Sequence, residues 1–116
     1  MRFSAALLSI FVALAAARGH KECACHSYTD AQGWHYDWEL TKWTCLHDFQ
    51  GRATYDHGSG RCIAHPRAQI DGDRFETDCI QNGVKDGYRR FNHDGSVNSY
   101  GPPILVGGAY SMCQRP

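Results

Sequence analysis

The sequence predicts a small α+β domain that has a mainly antiparallel sheet and one or two short helices. Three observations predict it. The chain has 116 residues, which is the size of one domain. Six of them are cysteines, an even number that is typical of a disulfide framework. Segments with helical spacing of apolar residues alternate with hairpin-like segments, and no linker or repeat separates them.

Residues 1–17 have the pattern of a secretory signal peptide. Arg2 supplies a positive charge, a short apolar run follows, and Ala15 and Ala17 give the small residues of a cleavage site. The apolar run is shorter than the about 20 residues that a membrane span needs. We therefore expect a secreted, extracellular protein with no membrane segment, in which residues 18–116 form a single cysteine-rich domain.

The charge balance argues against two classes of protein. The chain has 12 Lys+Arg and 12 Asp+Glu, so its formal net charge is zero. A basic nucleic-acid-binding domain would have clustered Lys and Arg and a high pI. An acidic disordered tail would have an excess of carboxylates. Neither class fits this composition.

The cysteines predict disulfides rather than a metal or redox site. Cys23 and Cys25 are separated by one residue and are not expected to bond to each other, which leaves many pairings open. One pairing ties the N-terminal region to Cys113 and closes a loop of nearly the whole domain. The chain contains no CxxC pair, which argues against zinc and against a redox enzyme. The expected disulfide residues are Cys23, Cys25, Cys45, Cys62, Cys79 and Cys113.

The first half of the domain predicts a strand, a helix and a hairpin. Residues 18–27 are a polar strand or coil. Apolar residues then recur at helical spacing, which predicts a helix over 37–49 with Asp37 as its N-cap. Residues 52–65 predict a hairpin around a glycine-rich turn.

The second half predicts a short helix followed by strands. A capping box at residues 73–76 predicts a helix that stops at Asn82-Gly83. Residues 88–100 predict a hairpin around an Asp-Gly turn. Residues 104–106 and 109–113 predict further strands. The expected core residues are Leu40, Trp43, Leu46, Phe49, Ile63, Phe75, Ile80, Val97, Ile104, Leu105 and Val106.

Several motifs resemble those of the small secreted cysteine-rich proteins of filamentous fungi, many of which are effector candidates. The motifs are the CxC after the signal peptide, Thr-x-x-x-Cys on the first helix, Tyr…Gly-x-Cys on the hairpin, and Ile-Asp-Gly-Asp-x-Phe…Cys over 70–79. The resemblance covers residues 23–83 best. It implies secretion during growth on or in a host and a stable scaffold with a variable surface, and it implies no catalytic residues.

We therefore expect a non-enzymatic effector-like protein, a virulence or host-interaction factor, that is monomeric and binds a host or environmental protein. The expected binding residues are Trp34, Tyr36 and Trp38, because Trp and Tyr combine a large contact area with a hydrogen-bonding group. Binding is also expected at the turns around His57 and His93, since loops can vary without disturbing the scaffold. Trp43 fits the apolar face of the helix and is expected in the core. A carbohydrate-binding module or secreted toxin is an alternative, and it requires coplanar, exposed Trp rings.

A second resemblance gives an enzymatic alternative. The order Tyr55, His57, Glu76, then Arg89 or Arg90, and His93 resembles that of the fungal guanyl-specific ribonucleases, secreted α+β proteins of similar length. In that family Glu and His act as general base and acid on the RNA backbone, and Arg stabilises phosphate charge. Here His93 follows Arg90 by three residues, whereas the family places a strand and a loop between them. This alternative covers an active ribonuclease and a catalytically dead relative, and only under it is nucleic acid a partner.

No metal or cofactor is expected. Asp71-Gly-Asp73 and Asn92-His-Asp94 contain potential calcium ligands, but no twelve-residue calcium loop follows, and Asp-Gly is typical of turns and caps. Cleavage after Ala17 would leave Arg18-Gly19-His20 at the N-terminus, a nitrogen set that suits Cu(II) or Ni(II). Such tripeptides also arise by chance.

Overall fold

The computed structural model of the protein describes residues 19–114 and confirms a small α+β domain with antiparallel sheets. The predicted signal peptide lies outside the described residues. The elements in chain order are β1 (Gly19–His20), β2 (Glu22–Thr29), β3 (Gly33–Tyr36), α1 (Trp38–Asp48), β4 (Ala53–Asp56), β5 (Arg61–Ala64), β6 (Ile70–Asp71), α2 (Gly72–Ile80), a π-helical segment (Gln81–Asp86) and β7 (Gly108–Gln114).

Strand β2 is the centre of the main sheet. On one side it pairs with β7 along nearly its whole length, from Glu22 opposite Gln114 to Tyr28 opposite Gly108. On the other side its C-terminal half pairs with β3 and its N-terminal end pairs with β5, which in turn pairs with β4. All these pairings are antiparallel. A separate two-stranded sheet joins β1 to β6.

The two faces of β2 have different roles. Successive side chains of a strand point to opposite faces. Cys23, Cys25 and Ser27 are fully buried on the face that α1 and α2 cover. His26 and Tyr28 lie on the opposite face, which carries no helix. The helices and the core therefore lie on one side of the main sheet.

All six cysteines form disulfides, which join Cys23 to Cys113, Cys25 to Cys79 and Cys45 to Cys62. The predicted link from the N-terminal region to Cys113 is confirmed. Disulfides persist in oxidising compartments, so these three indicate an extracellular type of environment. Within residues 19–114, no helix is long and apolar enough to cross a membrane.

Helix α1 begins as predicted. The Asp37 carboxylate accepts a hydrogen bond from the Leu40 amide at 2.9 Å, so Asp37 is the N-cap. Leu40 and Thr41 are fully buried on the face that contacts the sheet. Leu46, expected in the core, is exposed instead, because it lies on the far side of the helix from Leu40.

Helix α2 differs from the prediction at both ends. Its N-cap is Asp71, which accepts hydrogen bonds from the amides of residues 73 and 74, so the capping box predicted at 73–76 is wrong. The predicted stop at Gly83 is also wrong, since the chain continues as a π-helical segment. A Cβ on Gly83 would lie 3.0 Å from side-chain atoms of Leu40 and Val106, so this glycine allows close packing. Gly87, at φ 84°, ends the helix instead.

The predicted hairpin over 88–100 does not form. Its turn is present, but its flanks share only one isolated bridge, Phe91 with Val97. Tyr88 pairs with Ile104 instead. The predicted strand over 104–106 is also absent, because its amides donate to carbonyls of the irregular segment and the π-helical segment rather than to a strand.

The core was predicted in part. Leu40, Phe49, Phe75 and Val106 are buried, as expected. Trp43, Ile63, Ile80 and Ile104 are partly buried. Val97 and Leu105 are exposed, Leu105 at 61%, because the segment that carries them forms no strand against the sheet. The large core residues that were not predicted are Ile70 and Tyr88, and the alanines at positions 24, 53 and 64 are also buried.

We predict that the Cys25–Cys79 disulfide stabilises the fold more than the Cys45–Cys62 disulfide does. The two bonds close loops with sequence separations of 54 and 17 residues. The chain-entropy relation gives about 4 kcal/mol for the longer loop and about 3 kcal/mol for the shorter one. Urea denaturation of C25A/C79A and C45A/C62A, followed by Trp fluorescence, measures both losses. A larger loss for C45A/C62A would contradict the prediction.

Candidate functional site

Five aromatic rings meet on the helix-free face of the main sheet. The strand register places Trp34 beside Tyr28, and it places Tyr36 and Tyr110 on either side of His26. Directly opposite residues of antiparallel strands project from the same face, so their side chains contact each other. We call these five residues the aromatic row.

The rings of the row form a continuous chain of contacts. His26 stacks on Tyr110 with ring centroids 4.9 Å apart and planes 12° apart. Trp34 contacts Tyr110 at 5.1 Å and Tyr28 at 5.4 Å. Tyr36 meets the other side of His26 edge-on at 5.9 Å. The row is also accessible, since Trp34 is 55% exposed and Tyr36 is 41% exposed.

Two local features hold the outer rings in place. Gly108 leaves room for the Trp34 indole, since a Cβ on this glycine would lie 2.9 Å from the ring. The Tyr36 hydroxyl donates a hydrogen bond to the Gly60 carbonyl, which links β3 to the turn between β4 and β5. Burial of this hydroxyl raises the pKa of Tyr36 above its usual value, so it stays protonated and remains a donor.

A cleft of about 320 Å³ opens beside the aromatic row. Its lining includes His26 and Tyr36 from the row, Met112 from β7, and Arg61 from the start of β5. Burial lowers the pKa of His26, and the nearby His35 and Arg61 lower it further. The lowered pKa favours the neutral form of the His26 ring in the free protein.

A second cavity of about 350 Å³ lies at the N-terminus of α1 and has a polar floor. There the buried Asp37 carboxylate accepts hydrogen bonds from Tyr88 Oη at 2.6 Å and Ser27 Oγ at 2.8 Å, as well as from its own helix. Arg90 and Glu39 form an ion pair of 3.3 Å at this cavity. Each of these polar groups has a partner within the protein, so the network is sufficiently explained by a role in stabilising the fold.

None of the cavities among the described residues is lined by all five residues of the ribonuclease alternative. Tyr55 and His57 line a cavity of about 380 Å³ beside the turn between β4 and β5. Arg90 lies in the cavity at the start of α1, bound to a carboxylate. Glu76 accepts a hydrogen bond from the Ser111 amide of β7 at 3.2 Å, and His93 lies in an exposed turn. The arrangement does not form a common acid–base site.

Trp38 and Trp43, two of the three tryptophans, lie outside the aromatic row. Trp38 begins α1, is 43% exposed and contacts Phe91. Trp43 is partly buried and stacks on His47 at 3.9 Å. Within the row, Trp34 is tilted by 59° and 62° from its two neighbours. Trp34 and the two tyrosines that it contacts therefore do not form a coplanar platform.

The potential calcium ligands have structural partners. Asp71 caps α2, and the Asp94 carboxylate accepts hydrogen bonds from the amide and hydroxyl of Ser96. In the part of the chain that the structure describes, no three His, Cys, Asp or Glu side chains are grouped so that they could hold a metal ion. Arg18 of the N-terminal tripeptide lies outside the described residues.

The sequence reasoning found Trp34 and Tyr36 but missed the other members of the row and the neighbouring Arg61. No strand was predicted for the segment that carries Trp34 and Tyr36, and both lie on β3. A signal for the rest was present, because Cys-Ala-Cys-His-Ser-Tyr and Ala-Tyr-Ser-Met-Cys both alternate as strands do. The sequence did not show that these two segments pair with each other, which is what brings their aromatic residues together.

Comparisons with known proteins give no further assignment. No protein-family model and no curated protein matches the sequence, and no solved structure matches the fold.

We predict that His26 makes the fold less stable in acid. Because the pKa of His26 is lower in the folded protein than the 6.5 of an unperturbed His, the unfolded chain binds the proton first as the pH falls. The protein therefore has its full stability at pH 7.5, where His26 is neutral in both the folded and the unfolded state. Stability is lost as the pH falls through 6.5 and below, because the unfolded chain then binds the proton more readily. One proton can change stability by at most about 1.4 kcal/mol per pH unit, and partial solvation of the ring keeps the effect smaller.

Urea denaturation of the wild-type protein and of His26→Gln at pH 7.5, 6.0 and 5.0 tests this effect. We expect the wild-type protein to lose more stability than the variant between the first and last of these conditions. Equal losses in the two proteins would show that His26 does not carry the pH dependence.

Proposed function

We propose that this protein is a secreted, non-enzymatic effector-like protein of the fungal type, a virulence or host-interaction factor that acts by binding a target protein. The observation that carries the proposal is the aromatic row on the helix-free face of the sheet. Its rings are in contact with one another, and Tyr28, Trp34 and Tyr36 are exposed, whereas the scattered apolar residues of an ordinary surface need no explanation.

The composition of this face supports a protein as the target. Trp, Tyr, Met and Arg are the residues enriched in protein–protein interfaces, and Trp, Tyr and Arg dominate their energetic centres. The row supplies Trp34 and three tyrosines, while Met112, 51% exposed, and Arg61 lie beside it. A standard interface covers about 800 Å² of each partner, so a target would also contact the turn between β4 and β5.

The disulfides support the proposal through the free energy of binding. Ordering flexible side chains and loops opposes association, and a rigid surface avoids much of this cost. Two of the three strands that carry the row are fixed by disulfides, since Cys23 joins β2 to β7 and Cys25 joins β2 to α2. The third strand, β3, is held by its antiparallel pairing with β2. The row is therefore preorganised for a partner.

We predict that Trp34→Ala weakens binding of the target protein at least tenfold while the fold is retained. Trp34 is exposed, so its loss opens no cavity in the core. An energetically central Trp contributes about 2 kcal/mol or more to an interface. The matched control is Tyr100→Ala, which removes an aromatic side chain that is 92% exposed and lies outside the row.

Quantitative affinity purification from host extract, with the wild-type protein and both variants as baits, is the measurement. We expect one target that the wild-type protein and Tyr100→Ala enrich equally and that Trp34→Ala loses, with all three baits unfolding at similar temperatures. Retention of every enriched protein by Trp34→Ala would refute the role of the row.

We also predict that the purified protein does not cleave RNA, because the five residues of the ribonuclease alternative do not converge on one site. The measurement is release of fragments from a single-stranded RNA that contains guanosine, with His57→Ala as the comparison. We expect wild-type protein and variant to give the same background. Cleavage by the wild-type protein that disappears in His57→Ala would favour the enzyme and count against the binding proposal.

A further inference from the structure

We infer that the cleft beside the aromatic row binds a carboxylate of the target, so that the partner presents an acidic segment. The inference rests on the proposed function and names the chemistry of the partner. Arg61 and His26 both line the cleft, and none of the residues that line it is Asp or Glu. A site with a guanidinium, an imidazole that can take up a proton and no carboxylate of its own is complementary to an anion.

The guanidinium of Arg61 is available for such a ligand. In residues 19–114 the ion pairs closer than 4.0 Å join Arg74 to Asp78 and Arg90 to Glu39, and neither involves Arg61. The acidic residue opposite Arg61 in the hairpin is Asp56. The Asp56 carboxylate accepts a hydrogen bond from the Ser59 amide at 2.8 Å, which directs it to the turn. Arg binds a carboxylate through two parallel hydrogen bonds, a geometry that suits an Asp or Glu side chain.

The position of the cleft favours a protein carboxylate over a free anion. His26 of β2 and Tyr36 of β3 both belong to the aromatic row and both line the cleft. One extended segment can therefore lay apolar side chains on the row and place an acidic side chain against Arg61.

The cleft couples binding to protonation of His26. Tyr36 of β3 and Tyr110 of β7 contact this ring, and His35 of β3 and Arg61 of β5 are close enough to lower its pKa. All four groups are neutral or basic. Burial and these bases lower the pKa of His26 in the free protein. A bound carboxylate would raise it, because an opposite charge favours the protonated ring. Binding therefore takes up a proton, and affinity increases as the pH falls from 7.5 to 5.5.

The test is an NMR titration of the full secreted chain with the blocked peptide Ac-Asp-Glu-Asp-Glu-NH2. The matched control peptide is Ac-Asn-Gln-Asn-Gln-NH2, and inorganic phosphate is the third probe. We expect saturable shifts of His26 and Arg61 signals with the acidic peptide alone, and about three- to tenfold tighter binding at pH 5.5 than at pH 7.5. Arg61→Gln should weaken binding at least tenfold, Arg61→Lys should restore part of it, and His26→Gln should bind without the pH dependence.

Three outcomes would overturn the inference. They are the absence of saturable shifts with the acidic peptide, unchanged binding by an Arg61→Gln variant whose amide spectrum shows a folded protein, and binding of phosphate without binding of the peptide. Failure here is separable from failure of the proposed function. If Trp34→Ala still loses the target while the acidic peptide does not bind, the row remains a binding surface and only the acidic chemistry of the partner is wrong.

Discussion

The structure depends on the placement of two cysteines, one residue apart, on the central strand of the sheet. Because strand side chains alternate, Cys23 and Cys25 of β2 share one face, and both are fully buried there. One of them binds Cys113 on β7 and the other binds Cys79 on α2. A single strand is thereby linked covalently to the sheet beside it and to the helix above it. A domain of about one hundred residues has a limited core, so these links replace part of the burial that a larger protein would use.

This arrangement also explains why the opposite face of the sheet is open. Both helices lie on the cysteine face, held by disulfides and by the Asp37 network, so the alternate residues of β2 that follow Cys25 project to the other face. His26 and Tyr28 occupy these positions, and β3 and β7 add their aromatic residues beside them. The scaffold and the candidate binding surface are therefore alternate residues of the same strand. Substitutions on the open face can change recognition while the buried face continues to hold the fold.

The sequence predicted the features that depend on local interactions. Helix α1 and its cap at Asp37 follow from residues within one turn of each other, and the hairpin of β4 and β5 follows from its turn. The predictions were wrong where contacts between residues far apart in the sequence determine the structure. Gly83 looked like a helix stop, but it serves the contact with Leu40 and Val106. The aromatic row was found only in part for the same reason, since Tyr110 becomes a neighbour of His26 through the pairing of β2 with β7.

The order of the disulfides along the chain has a consequence for survival among proteases. Residues 92–103 form a largely exposed segment between Tyr88 and β7. A single cut there divides the backbone into two pieces, but the C-terminal piece remains attached through the bond from Cys113 to Cys23. Cuts between Cys25 and Cys79 are likewise bridged by at least one disulfide. Severing the backbone in this segment would therefore leave Tyr110 covalently tied to the strand that carries His26.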